Sequence, residues 1–215
     1  TTVPAQMQAD FSPVELGVRF RSSTAGYITG VRFYKYAQNG GTHTGNLWSS
    51  TGARLATATF TNETASGWQE VLFDTPVPIA PNTTYVASYH TPIGGYAVNY
   101  SYFANGAVTR GPLTALQDGS DGANGLYRYT ATSDAAPNQT FNSNNYWVDV
   151  VFVSTLSDDE TAPTVTATSP AAGAVDVSVS ATLSATFSES LAPESVTGDT
   201  FILETLAGIP IPVLI

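Results

Sequence analysis

Cysteine is absent from the 215 residues, which rules out disulfide staples and thiolate metal sites. Its absence, with low charge and abundant Thr, Ser, Asn, Gly and Tyr, fits a secreted bacterial protein held together by a large core. Basic residues are scarce: seven Lys and Arg stand against seventeen Asp and Glu, for a net charge of −10. Affinity for nucleic acid rests on neutralising phosphates, so a chain this poor in cations is not built to hold DNA or RNA. An anionic membrane surface is disfavoured for the same reason. No apolar run approaches the ~20 residues of a membrane-spanning helix, so no membrane insertion is expected. The N-terminus lacks the basic and apolar regions of a secretory leader, and Thr1 reads as a mature or excised end. Also missing is any apolar i, i+3, i+4, i+7 stripe long enough to claim a helix.

Alternation takes its place. Val14, Leu16, Val18 and Phe20 share one face of a strand, as do Val31 and Phe33, with Arg32, Tyr34 and Tyr36 opposite. Residues 45–50 and 54–60 read as strands, then 68–73, then an extended link held by Pro76, Pro78 and Pro81. Residues 84–90 put Tyr85, Ala87 and Tyr89 on one face and Val86, Ser88 and His90 on the other. Residues 95–100 follow, and the strongly apolar stretch 146–153 closes the domain. Between 101 and 145 periodicity fades into a Gly/Asn/Asp-rich region with one short apolar piece at 126–129; loops this long are usually functional or disordered. About eight strands with such turns predict an antiparallel β-sandwich or jelly roll.

Composition changes near residue 154. All seven bases lie before it, whereas the remainder holds eight acids and, for aromatics, only Phe187 and Phe201. We therefore expect a domain over 1–154, a linker over 155–163, and a partial Ig-like β-sandwich over 164–215. In the tail, 164–169, 181–187 and 201–206 read as strands, about half of what an immunoglobulin-type sandwich needs. Either the molecule is a fragment or missing strands come from elsewhere, and an open sheet edge can recruit a neighbouring chain.

Three groups of residues are candidates for chemistry. His43 and His90 could hold a metal with Glu63, Glu70 or Asp74, or each ring could bond a loop carbonyl; their spacing matches no His-x-x-x-His pair. No nucleophile-elbow signature accompanies them, and an enzyme is not expected. Asp118, Ser120, Asp121 and Asn124 offer hard oxygens on a Gly-bent backbone, the chemistry of a structural calcium site, although the spacing is not that of an EF-hand. Asp158, Asp159 and Glu160 could share an interdomain ion or form a solvated acidic linker. The aromatic residues form the third group. Sugar rings stack on flat side chains while their hydroxyls pair with amides and charged groups. Tyr96, Tyr100, Tyr102 and Tyr129, interleaved with Asn99, Asn105 and Arg128, fit that chemistry, as do Tyr34, Tyr36 and Trp48; Trp68 and Trp147 read as core.

The blocks Val14-Glu-Leu-Gly-Val-Arg-Phe20, Gly30-Val-Arg-Phe-Tyr-Lys35, Gly41-Thr-His-Thr-Gly-Asn-Leu-Trp48, Tyr85-Val-Ala-Ser-Tyr-His90 and Asn145-Tyr-Trp-Val-Asp-Val-Val-Phe152 resemble, in order, the bacterial family DUF4082. The resemblance spans roughly residues 10–153 and implies a secreted β-sandwich module with no established active site to transfer. Thr161-Ala-Pro-Thr-Val-Thr-Ala-Thr-Ser-Pro-Ala-Ala-Gly173 is similar to the opening half of a bacterial Ig-like (SbsA-type) domain. The expected function is a non-catalytic extracellular or cell-surface module that binds a polysaccharide or surface glycan. The alternative is a stalk, filament or adhesin unit whose Ig-like half engages a neighbouring chain.

Overall fold

The structure, a computed structural model, describes residues 4–156, 163–189, 191, 196–197, 200, 202–205, 207 and 209–211. The chain divides into two units, Thr1–Leu156 and Ser157–Ile215. Both are all-β, and no helix occurs among the described residues.

The first unit is a two-layer antiparallel sandwich. Its larger sheet holds eight strands: β2 (Val14–Ser22), β4 (Thr44–Ser49), β5 (Arg54–Thr59), β7 (Tyr85–Thr91), β9 (Val108–Arg110), β10 (Leu113–Ala115), β11 (Leu126–Tyr129) and β12 (Gln139–Thr140). The order is β12-β11-β2-β7-β4-β5, with β11 along the first half of β2 and the β9–β10 hairpin along its second half. The smaller sheet is β13-β3-β6, from β3 (Gly26–Lys35), β6 (Gly67–Ile79) and β13 (Val148–Val153). A short ribbon pairs β1 (Gln6–Met7) with β8 (Ala97–Val98).

The β2 alternation works as its sequence demands. Val14, Leu16, Val18 and Phe20 are buried between the layers with Ile28, Val31, Phe33, Leu47, Ala87 and Tyr89. Phe33 lies at the centre, its ring stacked on Tyr89 at 4.1 Å between centroids and edge-on to Phe60 at 4.9 Å. The smaller sheet packs mainly on β5, β4, β7 and β2. Three strands are too few to cover eight. The inner faces of β10 and β11 overhang, covered by loops instead of a strand, and both clefts described below open there.

Several elements differ from expectation. β6 continues through Pro76 and Pro78, with a register shift opposite Thr29; this is tolerated because β6 is an edge strand, where a missing N–H breaks no ladder bond. Within 95–100 only Ala97–Val98 enters a ladder. The region 101–145, expected as one long loop, holds β9 to β12, with β11 where the apolar piece was noted.

In the second unit, β14 (Val165–Ser169) pairs with β15 (Ser184–Phe187), and β16 (Leu203–Glu204) with β17 (Pro210–Ile211), both antiparallel. Asp158, Asp159, Glu160 and most of the expected linker lie outside the described residues.

The stacked centre sets a stability test. Phe33→Ala should destabilise the first unit by about 3–5 kcal/mol, measured by denaturant unfolding. A loss below about 1 kcal/mol would show that the two layers do not meet at this ring.

Candidate functional site

The first cleft lies over β11. Tyr127 and Tyr129 point inward from that strand, because they pair with the inward residues Leu16 and Val14 of β2. Opposite them come Tyr96 and Val98 from around β8, Tyr100 just beyond it, Gln8 and Asp10 after β1, and Phe141, Asn142, Asn144 and Tyr146 after β12. The result is a cleft of about 410 Å³, within the span of small-ligand sites. Buried Tyr96 and Tyr146 meet edge-on at 5.6 Å and form its floor, while Tyr100, Tyr129 and Phe141 stand more than half exposed at its rim.

Hydrogen bonds fix these rings. The Tyr100 hydroxyl donates to Gln8 Oε1 at 2.6 Å, and the Tyr129 hydroxyl donates to Asp10 Oδ2. That bond to the carboxylate, then burial, pushes the Tyr129 phenol up to about 12. Burial pushes Tyr146 to about 12 and raises Tyr96 as well. The phenols therefore stay protonated donors across the physiological range. Asp10 is the one charged residue of the lining.

A second cavity, a trough of about 650 Å³, lies over β10 beside β13. Its floor is Val18 and Phe20 of β2 with Leu113 and Ala115 of β10; Trp68, Trp147, Tyr102, Arg32 and Arg110 line it as well. The Arg32 guanidinium sits 5.0 Å from the Trp68 ring centre and bonds Asp149 through Nε and Nη2.

Of the expected sugar-stacking residues, Tyr96, Tyr100 and Tyr129 come together in the first cleft. Tyr102 lies in the trough, 6.4 Å from Trp147. Tyr34 and Tyr36 lie half-buried in another ring cluster, with Tyr34 edge-on to both Tyr36 and Trp68 at 5.8 Å. Arg128 pairs in register with Glu15, on the outer face of the sheet and away from the cleft. Trp48 is 1% exposed and offers no ring face to a ligand. It does point outward from β4, but Val86, Leu126, Ala123 and Ala136 cover it, and its Nε1 donates to Ser88 Oγ at 2.6 Å. Trp147, read as core, is buried; Trp68 is half-exposed.

The four oxygen-bearing residues expected around calcium have other partners. Asp118 accepts from the Asn124 backbone at 2.7 Å and from Ser143 Oγ at 2.9 Å. Asp121 takes the Arg21 guanidinium at 2.7 Å, with the Thr84 hydroxyl donating to the same oxygen. Ser120 Oγ donates to the Gln117 carbonyl, and buried Asn124 accepts from the Arg19 N–H at 2.7 Å while its amide donates to two carbonyls. Arg21 neutralises Asp121 and both Asp118 oxygens accept from protein donors, so in this arrangement protein partners hold these side chains. Gly125 shows how tightly the loop is folded: φ is +72°, and a Cβ there would collide with the Asn144 carbonyl.

His43 meets one of its candidate metal partners, Glu63, as a hydrogen-bond partner, and His90 meets none of them. His43 is fully buried, its Nδ1 donating to the Glu63 carboxylate at 2.8 Å and its Nε2 2.8 Å from the Asn39 side-chain amide. Burial lowers its pKa, against the pull of Glu63. Lys35 Nζ holds the other Glu63 oxygen at 2.6 Å. His90 Nε2 lies 3.0 Å from the Thr130 carbonyl and donates to it, the loop-carbonyl role considered above. No group of three metal-ligating side chains occurs among the described residues.

The sequence reading gave Glu15 no role. It is fully buried on the outer face of β2, where Ser88 and Asn46 donate to Oε1 and Ser133 to Oε2. Burial pushes its carboxyl up to about 7 against the opposing effect of those bonds.

Residues 1–148 match the family described as a domain of unknown function, DUF4082, and residues 159–214 match a bacterial Ig-like domain. Bacterial Ig-like domains are commonly extracellular or surface-associated, and the class defined here is that of an extracellular surface module built wholly of β-strands. The chain belongs to the DUF4082 family. No curated protein matches it.

Two tests follow from this geometry. A carboxyl held near 7 in the fold and near 4.5 unfolded is protonated in the native state through that interval. Its contribution is therefore complete below pH 4.5 and is lost as pH rises through 7, a change of roughly 3 kcal/mol. His43 slopes the opposite way below its usual value, so the Glu15→Gln variant isolates the Glu15 contribution: the difference in unfolding free energy from wild type should vary between pH 4.5 and 7, and a constant difference would refute it. For the Asp/Gly loop, adding calcium or removing it with a chelator should leave the melting temperature unmoved; a saturable rise with calcium would show that the loop binds it.

Proposed function

We propose that the first unit is a non-catalytic carbohydrate-binding module and that the tyrosine-lined cleft over β11 is its site. One observation carries the reading: five tyrosines and a phenylalanine converge on one cleft with Gln8, Asp10, Asn142 and Asn144 among them. Exposed rings stack on sugar C–H faces, and the amides and carboxylate take the hydroxyls. A lining whose one charge is a carboxylate favours neutral glycans over uronates or sialylated chains, since an anionic ligand would face Asp10 without a cation. A single carboxylate in the lining supports the non-catalytic reading, because glycoside hydrolysis characteristically uses a pair of carboxylates. Placement outside the cell gives such a module access to polysaccharide.

A second reading, a structural stalk or adhesin unit, draws on the Ig-like half. Val165, Leu183, Ile202 and Ile209 are exposed along its two ribbons, and a neighbouring chain could cover them. Concentration-dependent sedimentation with no glycan affinity would favour it.

The test is affinity electrophoresis through gels of neutral β-glucan, xylan and mannan. At least one should retard the protein, and Tyr100→Ala and Tyr129→Ala should each weaken retention by about tenfold or more, the loss of one well-stacked ring. Equal migration in every gel, or retention indifferent to both variants, would remove the cleft from consideration.

A further inference from the structure

The trough over β10 differs in kind from the tyrosine cleft. We propose that it accepts an extended peptide, which adds to β13 as a fourth strand of the smaller sheet, with apolar side chains at alternate positions and an acidic residue near one end.

The backbone of β13 supplies the first argument. The Tyr34 N–H donates to the Trp147 carbonyl at 3.0 Å, which sets the phase of the antiparallel ladder. Bonded pairs recur every second residue, so Asp149 and Val151 face β3, while the N–H and C=O groups of Val148 and Val150 face the other edge. Both residues line the trough, and β13 has no second strand partner among the described residues. An acyl chain would leave these polar groups unpaired; a peptide backbone satisfies them.

The second argument is a substitute acceptor already in place. Asp149 Oδ1 accepts from the Val150 N–H at 2.9 Å, while its other oxygen is held by Arg32. A carboxylate thus occupies the position of a ladder carbonyl. An incoming strand displaces one hydrogen bond, and Asp149 keeps its guanidinium partner.

Floor and charge complete the case. The floor formed by Val18, Phe20, Leu113 and Ala115 is apolar and lies beside β13, where the alternate inward side chains of an added strand rest on it. Arg110 stands exposed on β9 with no ion-pair partner among the described residues, so an acidic side chain on the peptide completes it.

The probe is a pool of short capped peptides with Val, Leu or Phe at alternate positions, Thr between them and Asp at one end, titrated against the full chain by NMR. Saturable binding should shift Val148, Val150 and Trp147 resonances and leave Tyr100 and Tyr129 unmoved. N-methylating the edge-facing peptide nitrogens should weaken it roughly tenfold, the loss expected for one or two backbone hydrogen bonds, and this control leaves the protein unaltered. Arg110→Glu should weaken the Asp-bearing peptides several-fold while the melting temperature stays put. The proposal is overturned if no member of the pool binds at millimolar concentration, if N-methylated peptides bind equally well, or if octanoate fills the trough where peptides do not. Shifts confined to the tyrosine cleft would overturn it too.

Discussion

Two sheets pack about 10 Å apart only where both have strands to offer. Here the layers are unequal, three strands against eight, and the inward side chains of β10 and β11 continue past the edge of β13. Water cannot be left against Tyr127, Leu113 and Ala115 without cost, so loops after β8 and β12 fold over them, carrying Tyr100, Tyr102, Phe103 and Tyr146. Loops cover a sheet less evenly than a strand does. Over β11 the covering is rings and amides and leaves a polar-rimmed cleft; over β10 it leaves an apolar-floored trough beside the β13 edge, which has no second strand partner among the described residues. One mismatch in width produces both cavities.

The outer face of the larger sheet follows a different logic. Gly17 lets the covering loop approach β2 so closely that a Cβ there would press on Pro137 at 2.9 Å. That approach seals Glu15 with Asn46, Ser88 and Ser133 in a small polar network adjoining Trp48. A carboxylate can stay buried there because it is hydrogen-bonded and largely protonated below about pH 7. Asn46 donates to both Glu15 and Ser133, yet its Oδ1 has no partner, so the network is not fully satisfied and depends on the loop staying shut.

How much of this was legible differs by element. The two faces of β2 and β7 can be read directly, since alternation is local and the inner sets are apolar. The β9–β10 hairpin was missed although its signal is present: Val108-Thr-Arg and Leu113-Thr-Ala flank Gly111-Pro112, but strands this short are lost among Gly and Asn. Trp48 fails for a physical reason. Asn46, two residues before it, does mark an outward face, and segments some 80 residues further along, at Ala123, Leu126 and Ala136, complete the burial of that face. The cleft was half visible. Tyr96, Tyr100 and Tyr129 share a stretch rich in Asn, whereas Gln8 and Asp10, which fix two of those rings, lie roughly 90 and 120 residues away from them in the chain. Pairings of that range follow from topology and leave no periodic trace.

Fixing the rings in advance bears on what the cleft can do. A tyrosine free to rotate gives up side-chain freedom when a ligand arrives, but Tyr100 and Tyr129 are already held by Gln8 and Asp10. Both phenol protons are donated in these bonds, so these two hydroxyls meet a ligand only as acceptors. Ligand hydroxyls also find the spare acceptor capacity of Asp10 and the amides of Gln8, Asn142 and Asn144, while the rings contribute flat apolar surface. Such a site distinguishes ligands by shape and by where hydroxyl donors sit along an edge, and charge enters only as the exclusion of anions by Asp10. The trough beside β13 differs on each count, with an apolar floor, open strand backbone and, at Arg110, a guanidinium that has no ion-pair partner among the described residues. The two cavities therefore suit ligands that do not compete.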